Sequence, residues 1–241
     1  MSRRNIHQGK PAGQGRLTAR PVTEGDKPET PPGIRTLSVG TTRFGLISVP
    51  PGYSPGRLAP LLVLLHGAGG EAGQAIGWLQ PIADETGLIL LAPQSEGPTW
   101  DVILGGYGPD VQRIDDALSE VFRRFAIDPD RVAVGGFSDG ASYALSLGVI
   151  NGALFRRVVA FSPGFIAQTG SYGDGAGGHP RFYVSHGTGD RVLPIDVCSR
   201  RLVPNLKIAG FDVVYREFDG GHTVPFHIAR EAIGWLLDET P

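Results

Sequence analysis

The 241-residue chain has a single cysteine, Cys198. An internal disulfide is excluded, and one thiol suits a reducing compartment, so a cytoplasmic location is expected. Its neighbours Ile195, Leu202 and Leu206 put Cys198 on an apolar helical stripe, where a thiol serves as an inert packing group. An excess of charge is also missing. Lysine and arginine number 22 against 24 acidic residues, a net charge of −2. No basic field is present to draw in nucleic acid or an anionic membrane surface. No run approaches the roughly 20 apolar residues that span a bilayer. Arg3 and Arg4 are not followed by the apolar stretch of a secretory signal, so membrane insertion and export are not expected. No cluster has metal-ligand spacing, and neither a metal nor another cofactor is expected.

What is present divides at about residue 33. Residues 1–33 are rich in proline, glycine and charge, with almost no apolar periodicity. Such a segment buries too little surface to offset its ordering entropy, and a mobile, dispensable extension is expected there. Residues 34–241 suffice for one domain with a substantial core.

Within that domain, IRTLSV and RFGLISVP read as a hairpin around Gly40-Thr41-Thr42. APLLVLLHG is a continuous apolar run, as expected of a strand covered on both faces, and GLILLAPQ, RVAVGGF, RRVVAFSPG, RFYVSHG and DVVYREFDGG repeat the pattern. Helical segments lie between them. In VQRIDDALSEVFRRF, Val111, Ile114, Leu118, Val121, Phe122 and Phe125 follow helical spacing, and Asp128-Pro129-Asp130 is expected to stop that helix before the next strand. Alternation of strand and helix predicts an α/β class, a three-layer α/β/α sandwich around a mostly parallel sheet. Ligands in such sheets bind at the carboxyl ends of the strands.

The residues at those ends carry chemistry. Gly136-Phe137-Ser138-Asp139-Gly140 fits G-x-S-x-G between a strand and a helix, a turn so sharp that the serine backbone is strained and the flanking positions have no room for side chains. Ser138 is the candidate nucleophile. A serine hydroxyl needs a base, and His222 follows the last strand in FDGGHTVPF. A carboxylate must fix the tautomer of that base. Asp190, in the loop after the preceding strand, is favoured over Asp219, which lies three residues before His222 and reads as a turn residue. The order Ser138, Asp190, His222 is the one expected when these groups follow successive strands of a hydrolase sheet. Oxyanion donors are expected from the backbone N–H of Asp139 and from the loop His66-Gly67-Ala68-Gly69-Gly70, with Ala68 first and Gly69 second, while His66 braces the loop.

HGAGG, GFSDG, HGTGDRVLP and GGHTVP together resemble the phospholipase/carboxylesterase branch of the α/β-hydrolase superfamily, over about Ile34 to Leu237. The resemblance implies a sheet of about eight strands and metal-independent hydrolysis of esters or thioesters. It maps nucleophile, acid and base onto Ser138, Asp190 and His222, and oxyanion donors onto Ala68 and Asp139. The chain departs from better-known members in carrying an acidic residue, Asp139, after the serine.

Other readings stand beside it. GAGGEA, residues 67–72, fits the dinucleotide fingerprint after a strand, although the next strand ends in Gln94 rather than an acidic residue. A non-catalytic binding protein, an amidase or peptidase, and a polyester depolymerase share the fold. Phe165, Ile166 and Tyr172 in the long irregular segment, Trp100, and Val224 after the base are candidate walls of an open pocket for small to medium esters. Oligomeric state is not legible.

Overall fold

The computed structural model of the chain describes residues 14–22, 25–39, 42–167 and 178–238. Residues 1–13, the turn residues Gly40-Thr41 and the candidate pocket residue Tyr172 lie outside them. The described residues form eight strands: β1 (Gly33–Val39), β2 (Thr42–Val49), β3 (Ala59–Leu65), β4 (Ile89–Pro93), β5 (Ile127–Phe137), β6 (Arg157–Phe161), β7 (Arg181–Gly187) and β8 (Val213–Phe218). They make one sheet in the order β1-β2-β4-β3-β5-β6-β7-β8. β1 and β2 pair antiparallel, β2 joins β4 antiparallel, and every later pairing is parallel.

Why the central strands read as unbroken apolar runs is now visible. Leu61, Val63 and Leu65 of β3 face one core, and Leu62 and Leu64 face the other. Helices α1 (Ala72–Thr86) and α5 (Phe226–Leu237) cover the second face, while α2 (Pro109–Arg124), α3 (Asp139–Ile150) and α4 (Ser199–Ile208) cover the first. Successive strand residues point to opposite faces, so a strand between two helical layers has no polar side to show. The fold is thus an α/β/α sandwich, as expected. One boundary differs. Asp128-Pro129-Asp130 does not precede the strand but lies within β5, where the ladder to β3 shifts register between Ala59 and Leu61. The irregularity accommodates a proline that a regular central strand would refuse.

A larger difference concerns the extension. Leu17 and Ala19 are buried, at 3% and 6% exposure. The backbone N–H groups of Thr18 and Ala19 both donate to Asp115 Oδ1 at 2.8 Å, and the Thr18 hydroxyl donates to Asp115 Oδ2 at 2.5 Å. Leu17 N–H donates to Asn151 Oδ1 at 2.8 Å, and Asn151 Nδ2 returns a bond to the Gly15 carbonyl. Residues 15–20 therefore form a strap across α2 and the end of α3, not the mobile segment that composition suggests. Its ordering is offset by acceptors about a hundred residues away, a term that composition does not carry. A chain beginning at residue 21 is expected to lose about 3 kcal/mol, from one leucine's burial and several hydrogen bonds. Thermal unfolding should show a Tm lower by roughly 6–12 °C; an unchanged Tm would mean that the strap contributes nothing.

Candidate active site

β5 runs into α3 through Ser138, whose φ of 58° and ψ of −121° lie in a region that L residues seldom occupy. The flanking glycines let it do so. A Cβ on Gly136 would sit 2.5 Å from the Gly140 carbonyl carbon, and one on Gly140 2.5 Å from the His66 carbonyl oxygen. The serine N–H is tied to the Phe161 carbonyl at 2.9 Å. Its hydroxyl is thereby held at the carboxyl edge of the sheet, at the start of α3.

Two further loops meet it there. After β7, Thr188 N–H donates to the Phe218 carbonyl and Gly189 N–H to the Gly220 carbonyl, so the loop carrying Asp190 lies along the loop carrying His222. Their approach leaves no space for a side chain at Gly187, where a Cβ would sit 2.5 Å from the Gly220 oxygen. The result is a hydrogen-bonded chain. His222 Nε2 is 2.8 Å from Ser138 Oγ, and His222 Nδ1 is 2.6 Å from Asp190 Oδ2. Asp190 Oδ1 accepts the N–H groups of Val192 and Leu193, at 2.8 and 2.9 Å. Burial raises the Asp190 pKa, but the bonds from His222, Leu193 and Val192 outweigh it, and the carboxyl is held below its ordinary value. Asp219 is exposed and makes no bond to His222 among the described residues.

Two members of this surround carry no local sequence signal. The Phe137 ring lies under the His222 imidazole, with centroids 4.6 Å apart, and is itself backed edge-on by Trp78. His186, fully buried, stands 3.3 Å from Asp190 Oδ2 through Nε2, donates that nitrogen's proton to the Leu193 carbonyl, and accepts the Ser199 hydroxyl at Nδ1. Only its position four residues before Asp190 hints at the contact.

The loop after β3 packs against the serine: a Cβ on Gly67 would sit 3.3 Å from the Ser138 Cβ. Gly69 N–H is engaged by the Pro98 carbonyl at 2.6 Å. Ala68 is exposed, and its N–H has no acceptor among the described residues. Of the two candidate donors in this loop, Ala68 is the one left available. The Asp139 carboxylate accepts the Thr99 hydroxyl at 2.6 Å. The dinucleotide reading requires the start of α1 for a pyrophosphate. Ala72 N–H there donates to Gln94 Oε1, and Glu71 N–H to Gln74 Oε1, so that end is already capped.

His66 and His186 share an electrostatic condition. Both are fully buried, and burial is the largest influence holding each pKa below the ordinary histidine value, against opposing pulls from the Gly67 and Leu193 carbonyls. Below about pH 6.5 the unfolded chain takes up protons that the folded chain refuses, so stability is complete above that pH and falls as the pH drops toward the folded values. With two sites the slope reaches about 2.7 kcal/mol per pH unit. Urea unfolding at pH 7.5 and 5.5 should show this loss, and equal stabilities would contradict it.

The candidate pocket residues divide. Phe165, 40% exposed, and the half-buried Ile166 line a groove of about 190 Å³ with Val197, Leu202 and Leu206 of the α4 region. Val224 is half-buried and packs against the second core. Trp100 is a correction: it is 0% exposed, stacks on Tyr143 at 5.3 Å, and donates its indole N–H to the His66 carbonyl at 2.8 Å. An indole needs an acceptor when buried, and it finds one inside rather than at a pocket wall. Among the described residues no group of acidic, histidine or cysteine side chains could hold a metal ion, and no helix is long and apolar enough to cross a membrane.

Known proteins share this fold. Residues 111–223 match the phospholipase/carboxylesterase family model. A structure of esterase PE8 matches with 23% identity and a TM-score of 0.64, covering 80% of this chain and 97% of its own. The Bacillus cereus carboxylesterase matches with 19% identity and a TM-score of 0.62, covering 79% and 92%. The Staphylococcus aureus S-formylglutathione hydrolase matches with 15% identity and a TM-score of 0.66, covering 89% and 100%. A search of curated protein sequences finds no match. The chain thus has the α/β-hydrolase fold of these esterases, and its residues 111–223, among which Ser138, Asp190 and His222 all lie, are similar to the phospholipase/carboxylesterase family.

Proposed function

We propose that this enzyme cleaves carboxylic esters or thioesters of small to medium acyl groups through an acyl-enzyme on Ser138. The observation that carries the reading is the hydrogen-bonded chain from Asp190 through His222 to Ser138, at 2.6 and 2.8 Å. Asp190 accepts from His222 Nδ1 and so leaves Nε2 as the base. That nitrogen takes the serine proton as Oγ attacks the acyl carbon, and the carbonyl oxygen becomes an anion facing the N–H groups of Ala68 and Asp139. Collapse of the tetrahedral intermediate returns the proton to the departing alkoxide or thiolate. Water, activated by the same imidazole, then frees the acid. No step calls on a cofactor.

For the acyl group we favour the groove beside Phe165 and Ile166. Its 190 Å³ corresponds to about six volumes of water-sized atoms at ~30 Å³ each, room for a short chain. A single buried, unpaired thiol fits a reducing compartment, and we place the enzyme in the cytoplasm, acting on small-molecule esters. Hydrolysis of p-nitrophenyl esters of increasing length should give a kcat/KM that peaks near butanoyl to hexanoyl and falls at least about tenfold by dodecanoyl. A preference that keeps rising with chain length would overturn the acyl assignment, and no hydrolysis of any ester would overturn the class.

A further inference from the structure

The geometry of Trp100 and His66 bears on one atom that the reaction needs. The Gly67 carbonyl and the Ala68 N–H belong to the same planar peptide unit and point in opposite directions. Whatever holds the carbonyl therefore aims the N–H. His66 Nδ1 lies 2.8 Å from the Gly67 oxygen, and the Gly70 N–H donates to the same oxygen at 3.0 Å. Which imidazole nitrogen carries the proton is decided at the other side of the ring. His66 Nε2 faces the Ser95 backbone N–H and the Gln94 side-chain amide, each at 3.2 Å, and a backbone N–H can only donate. Nε2 is the acceptor, and Nδ1 is left as the donor to Gly67.

The ring itself is clamped. The Trp100 indole packs on it with centroids 4.7 Å apart, and the indole N–H holds the His66 carbonyl, part of the preceding peptide unit, at 2.8 Å. Trp100 is in turn stacked on Tyr143, and Tyr143 on Tyr107, at 5.3 and 6.2 Å. His66 and Trp100 are both 0% exposed. Thus one side chain fixes the peptide unit before Gly67, and the other fixes the unit that carries the Ala68 N–H.

We propose that His66, clamped by Trp100, is a positioning residue that aims the Ala68 N–H at the oxyanion through the Gly67 carbonyl. The proposal rests on the Ser138 reading above. Neither side chain touches substrate, so the loss expected on breaking the arrangement is that of a misdirected donor, below the 10²- to 10³-fold cost of removing one outright.

The test compares His66→Leu with His66→Asn, whose amide N–H can occupy the place of Nδ1–H, each normalised to active sites by fluorophosphonate titration. His66→Leu is expected to lose roughly 10- to 100-fold in kcat per site with KM within about twofold, and His66→Asn to recover most of that loss. Affinity for a trifluoromethyl ketone, whose hemiketal oxygen takes the oxyanion's place, should fall in parallel with kcat/KM. A merely structural role would lower Tm and the number of active sites without moving either per-site quantity. If His66→Leu does not fold, 3-benzothienylalanine at position 100, which keeps the bicyclic shape and lacks the N–H, reads the same clamp. Wild-type kcat per site and wild-type ketone affinity in whichever variant folds would overturn the proposal, as would equal losses in His66→Leu and His66→Asn. Failure of the ketone to bond Ser138 in the unmodified enzyme would instead overturn the nucleophile assignment.

Discussion

Ser138→Ala is expected to lower kcat by roughly 10⁴- to 10⁶-fold, the range seen when a serine nucleophile is removed from its triad. The residual rate comes from the N–H groups of Ala68 and Asp139, which still stabilise an oxyanion formed by water attack. The fold should persist. The hydroxyl bonds only His222 among the described residues, and the N–H that ties position 138 to Phe161 belongs to the backbone. A fluorophosphonate probe should label the unmodified chain and leave Ser138→Ala unlabelled. Labelling that survives in the variant, or ester hydrolysis within tenfold of wild type, a barrier change of only about 1.4 kcal/mol, would rule out Ser138 as the nucleophile.

The second large effect belongs to Asp190→Asn, expected to cost about 10⁴-fold in kcat with little change in KM. An asparagine amide facing Nδ1 can offer its N–H, which favours the tautomer with the proton on Nε2, and a protonated Nε2 cannot accept from Ser138. The substitution also removes the charge that stabilises the imidazolium after proton transfer. That charge is present across the neutral range, because the bonds from His222, Leu193 and Val192 keep the carboxyl below its ordinary pKa. Asp219→Asn serves as the control: the residue is exposed, and its removal should leave kcat and the pH profile where they were. Equal losses in the two variants would mean that the acid is misassigned.

The groups that make up the candidate site reach it by different routes, and this decides how far each was legible. Gly136, Ser138 and Gly140 are neighbours in sequence, and their spacing follows from local sterics: a strand that reverses at once into a helix has no room for side chains two positions either side of the serine. Local grounds also favour Asp190 over Asp219, since a carboxylate three residues before the base more often serves its own turn. The loop sequence favours Ala68 over Gly69 as the donor, and the Gly69 N–H is engaged by the Pro98 carbonyl. The neighbours of Phe137 in sequence give no sign that it lies under the imidazole, and His186 is marked only by standing four residues before the acid.

Long-range packing decided the rest. The run of alternating strands and helices determined the three-layer class by itself, because periodicity is set by the backbone geometry of each element and by which faces it must bury. The extension at residues 15–20 illustrates the opposite case. Its composition argues for disorder, yet the buried Asp115 and Asn151 supply acceptors for its N–H groups, and Leu17 finds a core that its own neighbours could not build. Trp100 likewise reads in sequence as an aromatic available to a pocket, and it lies inside because the His66 carbonyl gives its N–H a partner. Local sterics and periodicity act over a handful of residues and are written in sequence order. Burial, tautomer and hydrogen-bond satisfaction depend on which distant groups the folded chain brings within 3 Å, and only the tertiary structure decides that.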